Sequence, residues 1–115
     1  MLQTNLTHVL SKEEHSKLLQ EHENVMICCG RMGPMCIPVY ESMEELEGEY
    51  NSIKFADMEF DSADAGVIRN LPECRSFQGL PFVVYYKNGK VVKATSSIQS
   101  KDQITEILDE QFGKN

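Results

Sequence analysis

The sequence lacks what several large classes of protein require. Basic residues are few: 11 Lys and Arg stand against 18 Asp and Glu, a net charge of −7. The field of such a chain repels phosphate backbones, and no Lys/Arg cluster makes a local exception, so no nucleic acid is expected as a partner. No stretch approaches the roughly 20 apolar residues of a membrane helix. The polar start MLQTNLTHVLSKEEH has neither a basic leader region nor a long apolar one. No membrane association is expected, and a cytoplasmic address follows. Repeats, linkers and low-complexity segments are also missing, which fits one domain over residues 1–115. Four cysteines are too few and too clustered for a secreted disulfide framework, so reduced thiols are the expectation.

A further absence is local. Gly30-Arg31-Met32-Gly33-Pro34-Met35-Cys36 follows the apolar run Val25-Met26-Ile27-Cys28-Cys29 and has the look of a redox turn, yet no second cysteine completes a C-x-x-C pair. The turn also lacks a phosphate-loop lysine pattern, so neither a nucleotide nor any other cofactor is expected.

The residues present punctuate the chain clearly. Ser11-Lys12-Glu13-Glu14 places a hydroxyl and a carboxylate three residues apart, a capping box that opens a helix over about 12–22. Leu6 to Val9 has the character of a short edge strand. Asn24 to Cys29, apolar from Val25 onward, suits a strand buried on both faces and paired in parallel. From Pro34 onward Tyr40, Met43, Leu46 and Tyr50 recur at steps of three and four, an amphipathic helix that starts at the thiol turn. Ile53 to Phe60 alternates as a second core strand, and Asp61 to Leu71 carries a short helix that Pro72 stops.

Asn88-Gly89 then lies between Phe82–Tyr86 and Val91–Thr95. Both residues accept positive φ, so a type I′ hairpin is predicted. Ser100-x-x-Gln103 opens a terminal helix whose buried stripe is Ile104, Ile107, Leu108 and Phe112.

This order of elements, with Gly79-Leu80-Pro81 before Phe82-Val83-Val84-Tyr85-Tyr86-Lys87-Asn88-Gly89, resembles the thioredoxin family. The segment Glu41 to Tyr50 also resembles the helix that follows the family's active site. The resemblance spans residues 5 to 112 and implies a thioredoxin-like α/β fold, a central mixed sheet between helices in three layers. Run backward from the helix without a gap, it lays the family's Trp-Cys-Gly-Pro-Cys on Met32-Gly33-Pro34-Met35-Cys36. Cys36 then takes the second cysteine's place and Gly33 the first's. An alternative lays Cys-Gly-Pro-Cys on Met32 to Met35 at the expense of an insertion in the helix. The same ungapped register puts the family's buried acid on Ile27, a nearby lysine on Asp57 and a tryptophan on Cys29. The resemblance further implies a cis Pro81 whose loop faces Cys36 and docks an extended substrate.

In the first turn of a helix, partial positive charge and free N–H groups favour a thiolate, so Cys36 is a candidate nucleophile. Candidate resolving thiols are Cys29, Cys28 and Cys74. Successive strand residues face opposite ways, so only one of Cys28 and Cys29 can point toward the turn, and Cys29 is the first choice. Met32, Gly33, Pro34, Met35, Leu80 and Pro81 form the expected substrate-binding surface. Met32, Met35, Cys36 and Cys29 are also a soft-ligand set for Cu(I), but their spacing matches no zinc pattern and no metal is expected. Arg31 and Arg75 read as surface charge, with assistance to a thiolate as the alternative.

Two functions therefore compete. One is an atypical thiol–disulfide oxidoreductase acting on protein thiols or disulfides, with a thioredoxin reductase among the donors the resemblance implies. The other is a non-catalytic thioredoxin-fold binding module whose cysteines are incidental.

Overall fold

A computed structural model describes residues 2–76 and 78–113. Five strands form one mixed sheet: β1 Thr7–His8, β2 Asn24–Gly30, β3 Ile53–Glu59, β4 Phe82–Lys87 and β5 Lys90–Ser96. Their order is β1-β3-β2-β4-β5, with β1, β3 and β2 parallel and β4 and β5 antiparallel to their neighbours. The helices are α1 Lys12–Glu21, α2 Ile37–Glu47, α3 Gly66–Arg69 and α4 Lys101–Phe112, with 3₁₀ turns at Ala63–Ala65 and Pro72–Ser76.

The two faces of the sheet bury separate sets of side chains. Met26 and Cys28 of β2, Phe55 of β3, and Val83 and Tyr85 of β4 pack under Val39, Met43 and Leu46 of α2 and Ile104 and Leu108 of α4. Val25, Ile27 and Cys29, with Ala56, Met58, Phe82 and Val84, pack on the other face under Leu18 of α1 and Ile68 of α3. The result is the expected three layers. Every residue of β2 is buried, as its unbroken apolar run requires.

Local chemistry explains the boundaries. The Ser11 hydroxyl accepts from the Glu14 N–H at 3.1 Å, but the Glu14 carboxylate accepts from Leu10 rather than Ser11, so this box is only half closed. At α4 both halves of the Ser100/Gln103 box form. Asn88 and Gly89 have φ of 54° and 80°, and Lys87 pairs with Lys90 across them. The expected β1 shrinks to two residues because only Thr7 and His8 reach register with Ala56 and Asp57. Helix α2 begins at Ile37 rather than Pro34, because residues 34–36 form a preceding turn. Among the described residues no helix is long and apolar enough to cross a membrane.

Candidate functional site

The chain leaves β2 at Gly30, turns through residues 31–36 and enters α2, with Cys36 as the N-cap. The N–H groups of Cys36 and Ile37 both donate to the Gly33 carbonyl, at 3.1 and 3.0 Å. Those of Val39 and Tyr40 donate to the Cys36 carbonyl, and Pro38 has no N–H. The free donors expected to stabilise a thiolate here are therefore already engaged by the turn. What reaches the sulfur is the backbone N–H of Arg31, which donates to Cys36 Sγ at 3.4 Å. Cys36 is only 2 % exposed, whereas Met35 beside it is 44 % exposed.

Gly30 makes this seating possible. A Cβ there would lie 2.8 Å from the Tyr40 hydroxyl, 2.9 Å from Cys36 Sγ and 3.4 Å from the Pro81 Cβ. The Leu80–Pro81 bond is cis. The Tyr40 hydroxyl donates to the Arg31 carbonyl at 3.2 Å, and burial, reinforced by the neighbouring thiols Cys28 and Cys36, holds Tyr40 as a phenol. Tyr40 is thus part of the site's frame, although its spacing in the sequence marks it only as helix core.

Outside the sulfur is a cleft of about 420 Å³ lined by Gly33, Pro34, Met35, Cys36 and Leu80, with Arg31, Phe60 and Gly79. Two residues of the expected binding set do not line this cleft. Met32 faces the N-terminal segment, where its Sδ accepts from the Gln3 N–H, and Pro81 is buried. The Arg31 guanidinium makes a two-point ion pair with Asp61 at 2.7 and 2.8 Å and stacks over Phe60, so its hydrogen-bonding groups are engaged there.

The floor of the site differs from the sequence expectation. Cys28, not Cys29, shares the packed cluster of Cys36, and burial pushes the Cys28 thiol well above its ordinary pKa. Cys29 lies on the opposite face of the sheet, in the cluster against which Cys74 packs, with its thiol pushed up to about 12 by burial. Ile27 also belongs to that opposite cluster, so the ungapped overlay that gave it the acid's position does not hold through β2. The soft-ligand set is divided in the same way, Cys29 being behind the sheet.

A carboxylate is nonetheless present. Asp57, 1 % exposed on β3, is the residue in register with Cys28. It accepts from the Thr4 hydroxyl and contacts His8 Nδ1 at 2.7 Å. Burial raises its pKa, and the Thr4 and His8 contacts offset part of the rise. An Asp inside the apolar run Phe55-Ala56-Asp57-Met58 was the available signal for it. Its two partners come from the N-terminal segment, which no local pattern ties to β3.

No protein-family model matches the sequence, and no curated protein sequence matches it significantly. Solved structures do. Thioredoxin f2 of Chlamydomonas reinhardtii superposes with a TM-score of 0.79 at 13% identity, over 96% of this chain and 100% of that one. Plasmodium falciparum thioredoxin superposes at 0.75 with 18% identity, over 92% and 99% of the two chains. A cysteine-to-serine mutant of Entamoeba histolytica thioredoxin superposes at 0.70 with 24% identity, over 91% and 98%. At such identities the likeness is one of architecture, and it agrees with the strand order and layers above: the chain has the thioredoxin fold.

Proposed function

We propose that the protein is a slow thiol–disulfide redox protein in which Cys36 is the reacting thiol and Cys28 its internal partner. The observation supporting this is that Cys36 lines the cleft beside the Pro81 loop and shares its packed cluster with one other thiol, Cys28. The Cys36 thiolate attacks a disulfide of a protein substrate, forming a mixed disulfide and expelling one substrate thiolate. Cys28 then attacks Cys36 Sγ, closing a Cys28–Cys36 disulfide and releasing the second substrate thiolate. Two electrons have passed to the substrate. A dithiol reductase or a thiol-bearing partner in a cytoplasmic, reducing setting restores the pair. Both steps are slow, because Cys36 is almost covered and Cys28 is held protonated by burial.

The reading is tested with a small aromatic disulfide and alkylation mapping. Wild type and Cys29→Ser should pass to an internal Cys28–Cys36 disulfide, while Cys28→Ser should stop at a mixed disulfide on Cys36. Should Cys36 react only after denaturation, the redox function is lost.

The near-complete cover of Cys36 beside an apolar, open cleft with exposed Met35 favours a second reading, the binding module. Partner capture would then be weakened by Met35→Glu and unaffected by Cys36→Ser.

A further inference from the structure

The proposed reaction uses two of the four cysteines and leaves Cys29 and Cys74. They come from distant parts of the chain, the end of β2 and the 3₁₀ turn Pro72–Ser76, and lie on the same side of the sheet, opposite the cleft, where Cys74 packs against the cluster that contains Cys29. Cys29 is fully buried in the cluster with Phe82, Met58 and Ile68, and Cys74, half-buried, packs against that cluster from outside. The backbone turn holding Cys74 is closed locally by its N–H, which donates to the Leu71 carbonyl at 2.9 Å. Arg69 stands over the same region, its guanidinium donating to the carbonyls of Phe60 and Ser62. Its charge acts on both thiols, opposing the rise that burial imposes on each.

We propose that Cys29 and Cys74 are a second thiol pair, oxidised by peroxide to a disulfide that ties the Pro72–Ser76 turn to the end of β2. Cys74 reacts first because solvent reaches it. Its thiolate attacks one peroxide oxygen, giving a sulfenic acid and one water or alcohol. The Cys29 sulfur then attacks the sulfenic sulfur, forming the S–S bond and expelling hydroxide, which takes up the proton lost by Cys29 to leave as water. In all, two thiols and one hydrogen peroxide give one disulfide and two waters. Arg69 favours thiolate at both positions.

The consequence reaches the cleft although the pair is behind the sheet. The tied turn precedes Gly79 and Leu80 in the chain, and β2 leads through Gly30 to Arg31. These are residues of the two walls. Oxidation would fix the separation of the walls and so act on the cleft from outside it.

The test uses the full chain, reduced and then exposed to graded hydrogen peroxide, with N-ethylmaleimide trapping and a non-reducing tryptic digest. Cleavage after Lys17 and Arg31 leaves Cys28 and Cys29 in one peptide, residues 18–31, and cleavage after Arg69 and Arg75 leaves Cys74 alone in residues 70–75. A link between these two peptides is expected in wild type and, undiminished, in the Cys28→Ser/Cys36→Ser double variant. This double variant keeps the outcome separate from that of the redox reading above. The link should vanish in Cys74→Ser, a change at a half-buried position, with the melting temperature unaltered. The proposal is overturned if Cys74 proceeds to sulfinic acid with residues 18–31 unlinked, if it forms only dimers, or if the link is absent from the double variant.

Discussion

At the scale of single residues, a Cβ on Gly30 would meet the Tyr40 hydroxyl and Cys36 Sγ below 3.0 Å, whereas a Cβ on Gly33, in the same turn, meets nothing within 4 Å. Gly30→Ala should therefore cost about 1–3 kcal/mol in denaturant melts, because the neighbours are packed core groups that must shift. It should also speed alkylation of Cys36 by prising the sulfur outward. Gly33→Cys should fold as the wild type does and place a second thiol three residues before Cys36. Under the redox reading, insulin reduction by this variant should rise on the order of tenfold or more, since an outer thiol then supplies the missing first attack. The redox reading fails at this position if the variant closes no 33–36 disulfide. Gly30 was legible only as the end of an apolar run; that it must stay small comes from Tyr40 and Pro81, far along the chain.

At the scale of elements, the chain's own signals set most boundaries. The Asn88-Gly89 turn, the Ser100/Gln103 box and the apolar run of β2 each satisfy their backbone groups with neighbours in sequence or with an adjacent strand, so their patterns were readable directly. Helix α1 adds a contact that was not. His15 is buried against Tyr86 of β4, with Nε2 and the Tyr86 hydroxyl 3.1 Å apart. Burial lowers the His15 pKa from its ordinary 6.5. The unfolded chain therefore takes up a proton more readily than the folded one, and stability is lost as pH falls through that ordinary value. His15→Gln, which cannot protonate, should remove this slope. The stability of wild type relative to the variant should decline between about pH 7.5 and about pH 5.5, measured by urea melts at each pH. A constant difference would mean that His15 is no less willing to protonate in the folded chain.

At the scale of the whole molecule, Asp57 of β3 joins three parts of the chain: Thr4 and His8 of the N-terminal segment, β3 itself, and β2 at its register partner Cys28. Its raised pKa works in the sense opposite to His15. The folded chain holds the proton more tightly, so this group's contribution to stability is greatest below pH 3.8, the ordinary value for an aspartate, and is lost as pH rises through the raised one. Wild type should thus lose stability relative to Asp57→Asn as pH is raised from that ordinary value toward neutrality. If the relative stability instead climbs over that range, the contacts with His8 and Thr4 outweigh burial.

The order of elements, the hairpin turn and the Ser100/Gln103 cap were available from the amino acids in order, and the three layers from the resemblance. The first group rests on hydrogen bonds between near neighbours and on apolar periodicity, which are properties of short segments. Which sulfur faces which was not available in that way. Cys28 and Cys29 are adjacent, and a shift of one residue in the strand exchanges the two faces of the sheet. The pairing of β2 with β3 and β4 settles that shift, because distant segments must bury their apolar faces together, and it places Cys28 in the cluster of Cys36 and in register with Asp57 while sending Cys29 to the cluster against which Cys74 packs.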